Sequence, residues 1–411
     1  MTHENIITAI DIGTSKIRTV IGSFSQENSR DFSVLGIGTA NSYAIRKGNI
    51  LDMEEFKSNL DKSLEEAEKM SWEQVSGAYL SLNSSSFEVI KSKWIIAISG
   101  DEITTEDVDR ALDMARNGVD LPNKEILKVI PEYFVVDMEE GVKNPLGMSA
   151  RKLEVVANIF SMNKNILGNI RKAVSDVGIE IYDVFPNLLA SPEGVLSKRQ
   201  KELGVVCIDI GASTTGVTVY EEGVLNFSSI IPIGSDSVTS DIALGARTSI
   251  DVAEKLKLDY SELGLEEGTK GADKEIDMHE ISQGEEGTIL PHYLSKIVTA
   301  RYEEIFFFVR EELRKAGRDG MLPEGAILVG GGIKERGLVD LAKEILRLPV
   351  FIGIPVEKEA LSETSISDPV FAGVVGNMIL ANKYAPRGGS FSLNISGFFQ
   401  SIVKVFKKIL P

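Results

Sequence analysis

The sequence predicts a mixed α/β protein of two lobes, each opening on a β-hairpin, with a smaller α+β unit inserted in the first lobe. Three observations carry that expectation. The turn Asp-Ile-Gly occurs twice, in DIGTSKIRTVIG at 11–22 and DIGASTTGVTVY at 209–220. Both copies lie between apolar, β-branched runs, as the arms of a hairpin should. The copies are 198 positions apart in a chain of 411 residues, and single hydrophobic cores stop growing near ~250 to 300 residues, so two joined cores are expected.

Taken in order, residues 5–12 and 16–24 read as strands joined at the turn Gly13-Thr14-Ser15, and a helix near 54–69 carries Phe56, Leu60, Leu64 and Ala67 on one face. Residues 78–98 read as strands. Thr104 and Asp107 form a capping pattern ahead of a stripe of Val108, Ala111, Leu112 and Ala115. Two further strand-like runs flank NPLGM, which makes 86–160 a compact α+β insert between first-lobe segments 1–85 and 161–202. A helix at 165–177 stops at Gly178, a short strand follows, and the polar stretch at 197–202 marks the lobe boundary. The second lobe, 203–384, holds the second hairpin, helices near 236–257 and 292–316, and the strand GAILVGGG. It ends with helices at 335–346 and 369–383. The Gly- and Glu-rich segment 261–289 reads as a mobile loop, and 385–396 as a flexible linker before a terminal segment, 397–411.

Composition narrows the function. With 43% hydrophobic and 26% charged residues the chain is neither disordered nor an integral membrane protein, and no apolar run reaches the ~20 residues that span a bilayer. The N-terminus does not read as a signal peptide, so a cytoplasmic location is expected. One cysteine and three scattered histidines leave no disulfide or zinc pattern. A net charge of −17 argues against nucleic acid as a partner.

A hairpin tip of Asp-x-Gly followed by small hydroxylated residues offers main-chain N–H groups to phosphate oxygens, because glycine lets the backbone approach closely. Gly13, Thr14, Ser15 and Lys16 form one tip; Gly211, Ala212, Ser213, Thr214 and Thr215 form the other. Carboxylates repel phosphate, so Asp11 and Asp209 make sense facing one Mg²⁺ ion through its waters. Either turn alone is an ordinary hairpin. Together with the glycine run Gly330-Gly331-Gly332 they suggest two phosphate hairpins and an adenosine clamp. Glu254 and Lys257 share a helix face; taken alone they read as a solvated surface pair.

The terminal stretch GFFQSIVKVFKKILP divides cleanly on a helical wheel. Phe398, Phe399, Ile402, Val403, Val405, Phe406, Ile409 and Leu410 fall within an arc of roughly 160°, opposite Lys404, Lys407 and Lys408. Such a helix could dock on its own domain. The preceding glycines, the absence of Asp and Glu from 386 onward, and the acidity of the remaining chain favour a helix lying in an anionic bilayer interface.

These residues resemble the actin, Hsp70 and sugar-kinase superfamily, whose two lobes close over ATP; Asp11, Asp209, Gly234, Glu254, Lys257 and Gly330 to Gly332 match its nucleotide motifs in order. Helices near 186–197 and 369–383 match its interdomain connectors. Within the superfamily the stretches IPIGSDSVTSDIA, NPLGMSARKLEV and ARYEEIFFFVREEL, with the basic apolar C-terminus, resemble the FtsA family of bacterial cell-division proteins. The chain departs at Ser235, where a second glycine is usual, and at Ala150. The resemblance implies a two-lobed actin-like ATPase fold with an FtsA-type inserted subdomain used in filament contacts. It also implies ATP and Mg²⁺ as cofactors, self-assembly, and contact with the tail of the tubulin-like protein FtsZ near Arg301 and Glu304. The implied function is a membrane tether for the FtsZ ring at the division site. An FtsA-like pilus scaffold and a small-molecule kinase are the rivals. No residue stands out as a general base, so at most slow ATP hydrolysis is expected.

Overall fold

The computed structural model describes residues 5–25, 32–355 and 366–384. Strand β1 (Asn5–Ile12) turns at Gly13, whose N–H donates to Lys16 O at 3.1 Å, into β2 (Lys16–Phe24). Strand β3 (Phe32–Asn41), unforeseen in sequence, continues the meander, and a two-residue ladder of β4 (Ile45–Arg46) and β5 (Asn49–Ile50) follows. Helix α1 (Met53–Ser71) is capped by the Asp52 carboxylate, which accepts from the Glu54 and Glu55 N–H groups at 3.0 Å. Its Phe56, Leu60, Leu64 and Ala67 pack on the sheet. Strand β6 (Gly77–Leu82) runs parallel to β1.

The insert consists of β7 (Glu88–Ala97), α2 (Thr105–Asn117), β8 (Lys124–Val136), β9 (Glu139–Val142) and β10 (Lys152–Asn163), in sheet order β7-β10-β8-β9. The Thr104/Asp107 capping box is formed. A core of its own, built on Leu112, Phe134, Leu153 and Val155, supports the unit. It touches both lobes. Lys128 on β8 is buried against Asp183 at 2.5 Å, while Asn158 donates to Leu225 O at 3.0 Å in the second lobe.

After α3 (Lys164–Asp176) and β11 (Glu180–Pro186) the first-lobe sheet closes in the order β11-β6-β1-β2-β3. Helix α4 (Asn187–Val195) leads to α5 (Lys198–Leu203), so the polar stretch at 197–202 is a short helix with a Ser197/Gln200 capping box. The second lobe repeats the first. Strands β12 (Val205–Ile210), β13 (Thr215–Glu221) and β14 (Val224–Ile231) form an antiparallel meander, and the later β17 (Ala326–Val329) lies parallel to β12 as β6 does to β1.

One expectation fails here. The helix anticipated over 236–257 breaks into α6 (Ser235–Ala246) and α7 (Ile250–Lys255), with Arg247 in the left-handed region at φ 55° ending the first and Lys255 leading into a π-turn over Leu256–Tyr260. Segment 261–289, read as a loop, carries short regular elements of its own. It contains β15 (Ile276–Asp277), α8 (Met278–Ile281) and β16 (Thr288–Ile289), and Ala272, Ile276, Met278 and Ile289 are buried. Ile276, Met278 and Ile289 join the second-lobe core with residues of α9 (Pro291–Lys315), which outweighs the glycine content. Helix α10 (Leu338–Leu346), β18 (Val350–Ile352) and α11 (Ala372–Tyr384) complete the described chain. Helices α4 and α11 cross in backbone contact: a Cβ on Gly376 would stand 1.7 Å from Ala190 O. Among the described residues no helix is long and apolar enough to cross a membrane. The amphipathic segment from Phe398 to Leu410 lies outside them.

Candidate functional site

The repeated sheets bring the two hairpin tips together. Asp11 is the penultimate residue of β1 and Asp209 that of β12, and both answer to one helix. Asn187 Nδ2 donates to Asp11 Oδ1 at 2.9 Å, and Ser191 Oγ donates to Asp209 Oδ2 at 2.8 Å. Asn187 and Ser191 are four residues apart on α4, one turn or roughly 6 Å along its axis, so the carboxylates converge on one floor. Ser81 donates to Asp11 at 3.2 Å, and Asn83 of the first lobe donates across the cleft to Asp209 at 3.3 Å.

Burial pushes the Asp209 carboxyl up to about 6, and the negative charge of Asp11 adds to the rise. Asp11 is also raised, first by burial, against the hydrogen bond from Asn187 and the charge of Arg18. Arg18 is the register partner of Asp11 on β2, and its cation also faces Asp209 and Asp368. Two carboxylates sharing so little solvent call for a cation.

A hydrated divalent ion fits these residues. Asn83 Oδ1 and Asn187 Oδ1 are buried acceptors with no protein donor, beside the two acids. Among the described residues no group of three or more His, Cys, Asp or Glu side chains could hold a metal ion, so water and phosphate oxygens would supply most of its shell.

At the tips, Thr14 Oγ1 and Ser213 Oγ share a hydrogen bond of 2.7 Å between lobes. Gly211 N–H donates to Thr214 O at 2.9 Å, repeating the turn at Gly13. Ser15 and Lys16 are exposed, and Thr214 is buried. Thr215 is the first residue of β13, and its hydroxyl donates to Ile233 O at 2.8 Å. Gly234 caps α6 at a close approach. A Cβ there would meet the Gly211 and Ala212 carbonyl oxygens at 2.5 Å, and those oxygens accept from the Ser235 and Asp236 N–H groups at 2.9 and 2.8 Å. Gly234 therefore acts by packing the tip onto the helix, and Ser235, buried at the next position, is accommodated without a second glycine.

The glycine run closes the cleft. Gly330 has φ +95°, and a Cβ on it would lie 2.6 Å from Asp209 Oδ1; Gly332 O accepts from the Tyr302 hydroxyl at 2.7 Å, and Gly331 faces open space. Glu254 and Lys257 are not the solvated pair that their spacing alone suggests. Lys257, only 5% exposed, sits on the π-turn, which carries its ammonium inward to donate to Glu254 at 2.6 Å and Thr239 at 2.8 Å. Glu335, bonded to Ser261, joins the cluster, its carboxyl raised by burial. Lys257→Met should lower stability. Because Glu254 retains solvent contact, the loss should be nearer ~1 kcal/mol than the several of a sealed pair, read as a drop in thermal midpoint.

Arg301 and Glu304 lie elsewhere, on α9. Arg301 is bidentate to Asp241 of α6, at 2.6 and 3.0 Å, and also bonds Glu304. Sequence reasoning missed Asn83, Asn187, Ser191 and Arg18, which carry no local motif.

Two related sheets, an acid from each at one floor and a glycine clamp on the second lobe define an actin-like protein. Solved structures of the same architecture are the PilM–PilN type IV pilus biogenesis complex (TM-score 0.62, 15% identity, covering 92% of this chain and 98% of that one) and MreB5 of Spiroplasma citri bound to ADP (TM-score 0.55, 15% identity, 93% and 99%). The sequence comparisons are more specific. Residues 206–376 match the family "Cell division protein FtsA", and residues 84–161 match "SHS2 domain inserted in FTSA". The cell division protein FtsA of Pseudomonas aeruginosa is 31% identical over 393 residues (96% of this chain, 93% of that protein), and that of Bacillus subtilis is 31% identical over 379 (92% and 83%). The chain belongs to the FtsA family of cell-division proteins.

Proposed function

We propose that this protein binds ATP with Mg²⁺ in the cleft between its lobes and tethers the FtsZ ring to the cytoplasmic membrane, assembling into filaments on that surface. The single observation that carries the nucleotide reading is the pair of aspartates, one from each lobe, held one helical turn apart by Asn187 and Ser191. In this reading Mg²⁺ supplies charge neutralisation between phosphate and carboxylate when bound. The chain's own residues do the rest: the Gly13 and Gly211 turns present backbone to phosphate, Glu254 and Lys257 reach toward the ribose, and Gly330 to Gly332 flank the adenosine. Slow hydrolysis at most is expected in this reading, with Asp11 and Asp209 the acids available to act on water through the ion.

The tether rests on the terminal segment from Phe398 to Leu410, whose single helix would bind lipid weakly and reversibly. Filament formation would multiply attachment through avidity. The FtsZ tail would meet α9 beside Arg301 and Glu304, where Asp241 holds the guanidinium in a fixed orientation. The pilus-scaffold rival shares the fold, but the relatives near 31% identity are division proteins. The test is co-sedimentation with anionic liposomes, with and without ATP, of the full chain and of one ending at Ser396. Binding should require the tail and rise with ATP; sedimentation that ignores both would refute the tether.

A further inference from the structure

Between β4 and β5 the chain makes a tight turn that no nucleotide motif includes. Lys47, not a glycine, sits in the left-handed region at φ 53°, and Gly48 follows at φ 80°. A non-glycine residue in that region costs about 1 kcal/mol or more and persists only where its surroundings hold it. Here they do. The Lys47 carbonyl accepts from Ser84 Oγ at 3.1 Å and from the Ser85 N–H at 3.2 Å, so the loop after β6 clasps the turn from below. A Cβ on Gly48 would collide with Ser84 Cβ at 2.5 Å.

This conformation aims one group across the cleft. The Lys47 N–H donates at 3.0 Å to Ser213 Oγ on the second-lobe hairpin, 166 positions away. The same oxygen shares the 2.7 Å hydrogen bond with Thr14 Oγ1. A serine hydroxyl has two acceptor sites and one proton. Either hydroxyl can donate in the Thr14–Ser213 bond; when Thr14 does, as the Lys47 N–H does in its own, the Ser213 proton is free for a phosphate oxygen. Hydrogen bonds in such a chain strengthen one another.

We propose that the Lys47 turn is a main-chain latch of the cleft: it fastens the first lobe to Ser213, and a phosphate oxygen that accepts the Ser213 proton tightens the fastening, so that nucleotide occupancy and lobe closure rise together. The phosphate half of this rests on reading the cleft as a nucleotide site. The fastening half stands on the hydrogen bonds alone. The charge of Arg46, next in the turn, also bears on Asp236 at the start of α6, reinforcing the crossing. The device is a backbone one, so the identity of the Lys47 side chain is secondary.

Amide hydrogen exchange of the 43–51 segment in the full chain, without nucleotide, is the first measurement. Protection should be strong in the unaltered protein, fall about tenfold or more in Ser213→Ala and in Ser84→Ala, and survive in Lys47→Gly, which keeps the N–H and relieves the strained φ. Unchanged protection in Ser213→Ala overturns the latch, as does a loss in Lys47→Gly equal to that in Ser84→Ala. The second measurement is binding of a fluorescent ATP analogue with Mg²⁺. Ser84→Ala, whose hydroxyl supports the turn from outside the phosphate hairpins, should weaken binding about tenfold, the analogue of one lost hydrogen bond of ~1.4 kcal/mol. Wild-type affinity in Ser84→Ala overturns the coupling. Absence of analogue binding by the unaltered chain sinks the nucleotide reading, and with it the coupling, whereas the fastening is decided by the exchange comparison.

Discussion

Asp209→Asn is expected to reduce Mg²⁺-nucleotide affinity at least a hundredfold without lowering the thermal midpoint of the unliganded chain. The substitution preserves shape and removes one of two buried like charges. Because burial and Asp11 raise the Asp209 carboxyl from 3.8 to about 6, its ionisation opposes folding. The sign follows from linkage. A raised acid binds more protons folded than unfolded between these values, so its contribution to stability is present below pH 4 and is lost as pH rises through about 6. Asparagine should remove that slope from the unliganded protein, and calorimetry across pH 4 to 7 would read it. Binding runs the other way. Metal and proton compete for the same carboxylate, so Mg²⁺-nucleotide affinity should fall as pH drops below about 6 in the native chain. Retention of tight Mg²⁺-dependent binding by Asp209→Asn would mean that the two acids do not share an ion.

Gly330→Ala is expected to be the more damaging change to the fold itself. The residue has φ +95°, and the added Cβ would stand 2.5 Å from Ile210 O and 2.6 Å from Asp209 Oδ1. Both neighbours are fixed, one as backbone of β12 and the other by Ser191 and Asn83. The conformational cost of about 1 to 2 kcal/mol therefore adds to a displacement of β12 or β17, for a loss of roughly 3 kcal/mol or more. Gly331→Ala is the control. Nothing lies within 4 Å of a Cβ there, so stability should stay within about 0.5 kcal/mol. Denaturant midpoints of the two variants distinguish a packing requirement at one glycine from general intolerance of the run.

The first hairpin was legible in the sequence to the residue, and the second as a repeat of it, because apolar alternation and an Asp-x-Gly turn are local signals that the structure has no reason to override. The duplication was legible for the same cause, and the capping box at Thr104 and Asp107 likewise. The supporting partners were not. Asn187 and Ser191 are ordinary polar residues until the fold sets them over acids 176 and 18 positions away. Lys257 looked solvated because a regular helix would have kept it on one face with Glu254; the π-turn carries it inward. Glycine and glutamate in 261–289 spoke for a loop, while Ile276, Met278 and Ile289, too sparse to show a period, anchor it to the core. The segment beyond Ser396 that the sequence reads as a lipid-type helix falls outside the described residues.

The crossing of α4 and α11 limits how the halves can move. Gly376 lies against Ala190 O, and Gly194 against Ala372 O, where a Cβ would come within 1.7 and 2.4 Å respectively. Two helices touching main chain to main chain cannot slide along each other without driving neighbouring side chains into the contact. They can pivot about it, as scissor blades do about a rivet. Relative motion of the lobes is therefore expected to favour rotation about this crossing over translation along it.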